Sequence, residues 1–263
     1  MKKQIISSNK QLNSGYVLGY SDRDAKLQIA LLHLKDVRVC ECECMEFWST
    51  HELMGYLVEQ PRPLGIGAYA TLALSTGREG WRAADYWIDE APFHHKSEYD
   101  EFPFYWGPHQ FCGNRSLSAI AMLSAMRRRW PDLPATETDP GECYQHLTWS
   151  TESPDLSERI WVLSEWMGVR LPSDLGEAGW EAVMSAYAMW MGLRGDWPID
   201  LFRLTRPGGK ARVLSFGDGV SKDEEYTQPE LSAKTLIFPA GPVSFFWPPD
   251  DRADVERNGE FTI

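Results

Sequence analysis

Three apolar stretches set close together constrain this chain more than any other feature: 15–21 (GYVLGYS), 27–34 (LQIALLHL) and 37–45 (VRVCECECM). The third alternates strictly. Val37, Val39, Glu41 and Glu43 point one way, and Arg38, Cys40, Cys42 and Cys44 the other, the period of two that a strand with distinct faces requires. The first break is the turn Asp22-Arg23-Asp24. With connections this short, the three strands form an antiparallel meander.

After the meander the period changes. The spacing predicts a helix over 49–59, with Leu53, Met54 and Leu57 on one face and Ser49 or Thr50 as its cap. A hydrophobic strand follows at 64–74, then a glycine-punctuated loop and a short helix at 81–88. Residues 89–112, rich in aromatics and prolines, read as an irregular excursion. A helix over 116–129 ends in Arg127, Arg128 and Arg129, where cations complement the helix dipole. A short strand at 134–138 runs into Asp139-Pro140-Gly141-Glu142, a capping box with proline at the first helical position. Helices at Leu156–Met167 and 178–193, and short strands at 211–216, 234–238 and 243–247, complete the chain. Three strands followed by alternating helix and strand is an α/β order with a mixed sheet. The expected organisation is a flexible 1–14, a core domain over 15–200, and a C-terminal extension over 201–263 packed on it.

Composition narrows the function classes. At 263 residues and 43% hydrophobic, the chain can bury a substantial core. Its net charge of −12 gives no general attraction to a phosphate backbone. A nucleic-acid role therefore needs a local basic patch or bound cations. Residues 1–14 lack the apolar run of a signal peptide, and no stretch approaches the ~18 apolar residues of a membrane span. Five cysteines, three of them at Cys40, Cys42 and Cys44, make no disulfide framework, so a reducing cytoplasm is expected. Twelve tryptophans read as core and interface anchors.

Glu181 is the most informative single residue. Trp180, Val183, Met184, Tyr187 and Met191 make an apolar stripe on the 178–193 helix, and Ala182, Ala186 and Met189 fill much of the rest. A helix apolar nearly all round is buried, and a carboxylate on it needs a partner or a metal. The alternative is an ordinary first-turn glutamate at the positive helix end. Glu137 sits on a short strand that ends in a capped helix, the edge where α/β proteins collect ligands. Asp139 is accounted for as the N-cap.

Several pieces occur in a telling order: Leu64-Gly65-Ile66-Gly67-Ala68, Ser75-Thr76-Gly77, Gly80-Trp81-Arg82, Ala84-Asp85-Tyr86-Trp87, Ala135-Thr136-Glu137-Thr138-Asp139-Pro140, and 181–188 (EAVMSAYA). Together they resemble a family of predicted RNase H-like nucleases, long known only as a domain of unknown function. The resemblance spans about 15–200, and 238–248 is similar to that family's end. It implies an RNase H-like mixed sheet and a metal-dependent phosphodiester hydrolase. In such a site, carboxylates hold two Mg²⁺ or Mn²⁺ ions that activate water and stabilise the leaving oxygen. The sequence departs from that pattern at two positions and alters a third, where Glu181 stands for the last-helix aspartate and keeps its charge. The first-strand aspartate falls at Ser21, with Asp22 beside it, and the fourth-strand aspartate falls at Gly67. A one-residue shift turns a strand side chain to the other face, so Asp22 substitutes only if the strand ends or bulges there. Glu137 and Glu181 remain as catalytic carboxylates, with Asp22, and as metal ligands, with Asp24.

Other features carry less. Arg78, Arg82 and Arg115 are the candidates to face a phosphate, helped by Gly77 and Gly80. Cys40, Cys42 and Cys44 in a flat row do not make a tetrahedral zinc site and read as small buried hydrophobes. His94-His95 lies in a polar loop. Two functions follow: a metal-dependent nuclease, or a catalytically degenerate scaffold that binds nucleic acid or a protein partner. A phosphate hydrolase or transferase for small molecules is a third.

Overall fold

The computed structural model describes residues 14–23, 26–75, 82, 84, 85, 88, 113–148, 154–204, 210–213, 224–227 and 236–249. The meander is present: β1 (Ser14–Arg23), β2 (Lys26–Lys35) and β3 (Arg38–Phe47) pair antiparallel in sequence order. The turn expected at Asp22-Arg23 is instead strand, because Asp22 pairs with Leu27 and Arg23 with Lys26. At the second connection, Val37 leaves the predicted strand. Asp36 and Val37 both have positive φ (51° and 66°), the two-residue hairpin geometry that matches the twist of the flanking strands.

The rest alternates. Helix α1 (Thr50–Glu59) is capped by Ser49, whose side chain accepts from the Glu52 N–H. It leads to β4 (Gly65–Tyr69) and a two-residue β5 (Leu74–Ser75) where one long strand was expected. Helix α2 (Gly113–Arg129) precedes β6 (Ala135–Glu137) and α3 (Pro140–Thr148). Asp139 caps α3, its Oδ1 accepting from Glu142 N at 3.2 Å. Helices α4 (Leu156–Met167) and α5 (Glu177–Arg194) end on left-handed Gly168 and Gly195. Beyond them lie β7 (Ile199–Asp200), a 3₁₀ turn (Leu201–Arg203), β8 (Lys210–Val213), β9 (Glu224–Thr227), β10 (Leu236–Ile237) and β11 (Phe246–Trp247).

The five-stranded sheet has the order β3-β2-β1-β4-β6, with β4 parallel to β1 and β6 parallel to β4. This is a mixed α/β sheet with helices on both faces. Tyr16, Leu18, Tyr20, Ile66, Ala68 and Ala135 pack into one apolar core with residues of α1 and α2. Val17, Ala30 and Leu32 pack with α3, α4 and α5 on the other. Every residue of α5 from 179 to 190 is buried, as its all-round apolar sequence requires. The segment after β10 returns to the sheet: Ser244 bridges Thr136 on the open side of β6, and Arg127 donates to the Ala240 and Pro242 carbonyls. Among the described residues no helix is long and apolar enough to cross a membrane.

Candidate functional site

The parallel strands β1, β4 and β6 end at one edge of the sheet, and the carboxylates named from sequence lie there. Their side chains do not converge. On β1, Val17 belongs to the α5 core and Leu18 and Tyr20 to the other, so Ser21 faces α5 and Asp22 turns away from it. Ser21 is fully buried, and its hydroxyl donates to Glu181 Oε2 at 2.6 Å. Tyr20 OH reaches Asp22 Oδ2 at 3.5 Å on the far side. Because β1 continues through Arg23, Asp22 never gains the α5 face, and Arg23 takes it instead. Its guanidinium forms an ion pair with Glu181 Oε1. Glu181, 5% exposed, is therefore not the partly wet first-turn residue of the simpler reading. Asp24 lies outside the described residues.

Glu137 follows the opposite alternation. It pairs in register with Ala68, and Ala135 and Ala68 both join the α1–α2 core. Thr136 and Thr138 take the α5 side, where Thr138 Oγ1 and Ser185 Oγ lie 2.7 Å apart. At the end of β6 the Glu137 carboxylate meets the loop after β4. Its Oε2 accepts from the Leu72 and Ala73 N–H groups at 2.8 and 3.4 Å. Arg82 Nη1 lies 2.7 Å from Oε1 and 2.8 Å from Oε2.

Arg82 is the centre of this second cluster, not a residue facing a phosphate. It is 2% exposed. Its Nε lies 3.0 Å from both Asp85 oxygens, Nη2 lies 2.5 Å from Asp85 Oδ1, and Nη1 also donates to the Ala73 carbonyl at 3.1 Å. The guanidinium donors that would grip a phosphate are thus engaged internally. Burial pushes the Glu137 carboxyl up, against the opposing pull of Arg82 and the Leu72 N–H. Burial alone would push the Arg82 guanidinium down, but Glu137 and Asp85 hold it above its ordinary value. Arg78 lies outside the described residues, as does the side chain of Arg115.

Gly67 explains why α5 lies so close to the sheet. A Cβ there would meet the Ser185 carbonyl oxygen at 1.8 Å, and one at Gly19 would meet the Ala182 oxygen at 1.8 Å. Backbone-to-backbone approach occupies the volume that a fourth-strand aspartate would need. The donors do not fit a divalent cation. Each carboxylate already has a guanidinium and N–H or O–H donors on it, Gly67 supplies none, and among the described residues no group of three or more acidic, histidine or cysteine side chains is brought together.

Asp85 and Arg23 complete the two clusters, and neither was singled out from sequence. Arg23 shares the parity of Ser21 on β1, and Arg82 and Asp85 have the i, i+3 spacing of an ion pair within one turn. The cysteine row is corrected too. Leu34 pairs with Val39 and His33 with Glu41, so Cys40 is the extra residue of a bulge. Cys40 is exposed, while Cys42 and Cys44 stay half-buried on the α5 side.

No protein-family model and no curated protein sequence matches the chain. Among solved structures the chain is similar to Thermus thermophilus RuvC, at 10% identity and a TM-score of 0.37, covering 68% of this chain and 96% of that one.

Proposed function

We propose that the chain is an RNase H-like scaffold whose acidic metal centre has been replaced by arginine–carboxylate ion pairs, and that it works by binding a protein partner. The strand order β3-β2-β1-β4-β6, the parallel β4 and β6, and the ordered sequence pieces support the fold reading. One observation carries the functional reading: Glu137 and Glu181 each have an arginine as counter-ion. A two-metal hydrolase needs those oxygens turned to one shared point. The net charge of −12 and the enclosed Arg82 argue against phosphate-backbone binding. Exposed Trp48 and Trp161 are side chains of the kind that anchor protein interfaces.

Calorimetric titration with Mg²⁺ and Mn²⁺, alongside cleavage assays on DNA and RNA in both strand states, tests this reading. The expected result is no cleavage, and no binding heat beyond that of Glu137→Gln/Glu181→Gln. Metal-dependent cleavage that disappears in Glu137→Gln would overturn it and restore the nuclease.

A further inference from the structure

Strand β3 is the outer strand of the sheet, paired with β2. Its bulge breaks the row of three cysteines. Val39 takes the inward place opposite Leu34, and Cys40 turns to donate to the His33 carbonyl at 3.3 Å. Cys42 and Cys44 remain together, opposite the apolar Leu32 and Ala30. Their sulfurs lie 3.9 Å apart and share a thiol hydrogen bond. Both are half-buried at the margin of the α5 core, so an ion can approach from the sheet edge.

The pair is poorly placed for a disulfide. Same-face neighbours on a strand have Cα atoms ~6.5–7 Å apart, at or beyond the usual disulfide range. The geometry suits a shared soft ion. With metal–sulfur bonds of about 2.3 Å, the 3.9 Å separation subtends roughly 116°, the angle of a trigonal centre. Zinc would need two further ligands, and the described residues group no third histidine, cysteine or carboxylate with these thiols. Sulfur-only donors with a low coordination number select Cu(I) over harder cations.

We propose that Cys42 and Cys44 form a dithiol site for a soft monovalent cation of the Cu(I) class, with the third position open to a small thiol. Binding breaks two S–H bonds, forms two S–Cu bonds and releases two protons, with no change in oxidation state. The hydrogen bond to Cys44, together with burial, pushes the Cys42 thiol up from its ordinary value.

Anaerobic titration of the full chain with Cu(I), against bicinchoninate as competitor, is the test. One ion per chain is expected. Cys42→Ser and Cys44→Ser should each weaken it by at least the ~10- to 100-fold that even an outer-sphere partner is worth, and Cys40→Ser and Cys112→Ser should leave it unchanged. Affinity that survives in Cys42→Ser/Cys44→Ser overturns the proposal. Wild-type protein treated with phenylarsine oxide gives an independent reading should a variant fail to fold. Mass spectrometry should find one arsenic bridging the 42–44 peptide, and an adduct elsewhere, or none, also overturns the proposal.

Discussion

Glu137 and Glu181 look alike in sequence, as lone carboxylates in apolar surroundings at one edge of the sheet, yet they are enclosed in different ways. The Arg82 side chain beside Glu137 is 3% exposed, and Asp85 shares it. The Arg23 side chain beside Glu181 is 37% exposed, and the buried Ser21 hydroxyl supplies the second contact. Among the described residues, the first is a buried network of Glu137, Arg82 and Asp85, the second a contact with one wet member. Neutralising a buried charge is therefore not one thing. Where the counter-ion is itself buried, removing it strands charge in the interior; where it reaches solvent, water replaces most of what it gave.

Breaking Arg82 is the strongest test of this contrast. Arg82→Met strands Glu137 beside Asp85 and should cost about 3–5 kcal/mol in urea unfolding, with partial recovery in Arg82→Met/Glu137→Gln. No recovery in the double variant would show that the arginine acts by packing over Phe202, 5.3 Å from its ring, more than by charge. Next comes the wall between the two carboxylates. Gly67→Ala forces α5 off the sheet and should cost about 3 kcal/mol, the upper end for overpacking. Ser21→Ala removes a hydrogen bond to a charged group and should cost about 2 kcal/mol. Arg23→Ala should cost about 1 kcal/mol, since water can take the place of the partly exposed guanidinium while Glu181 keeps the Ser21 hydroxyl. Asp22→Ala, on the far alternation, should stay within about 0.5 kcal/mol. An Arg23 effect as large as that of Arg82 would erase the distinction.

The fold was more legible than the site, for a physical reason. Strands and helices announce themselves through local period, so the meander, the Asp139 cap and the α5 helix all follow from neighbouring residues. The ion pairs join residues far apart in the chain. Arg23 and Glu181 are separated by 158 positions, and Arg82 and Glu137 by 55. No local pattern says which arginine a carboxylate meets. The loss of Gly67 as a ligand was readable, but its use as a contact surface for α5 was not, since that depends on how close a distant helix comes. The Cys40 bulge was hidden for a related reason: the residue types keep alternating through it while the backbone does not.

The burial of α5 on all sides has a consequence on the time axis. The amides of 179–190 lie between the sheet and the α3–α4 layer, so their exchange with deuterium is expected to require a global opening. The Glu181–Ser185–Thr138 seam is stitched to that slowest unit. Hydrogen–deuterium exchange should therefore find the amides of 179–190 among the slowest of the described residues.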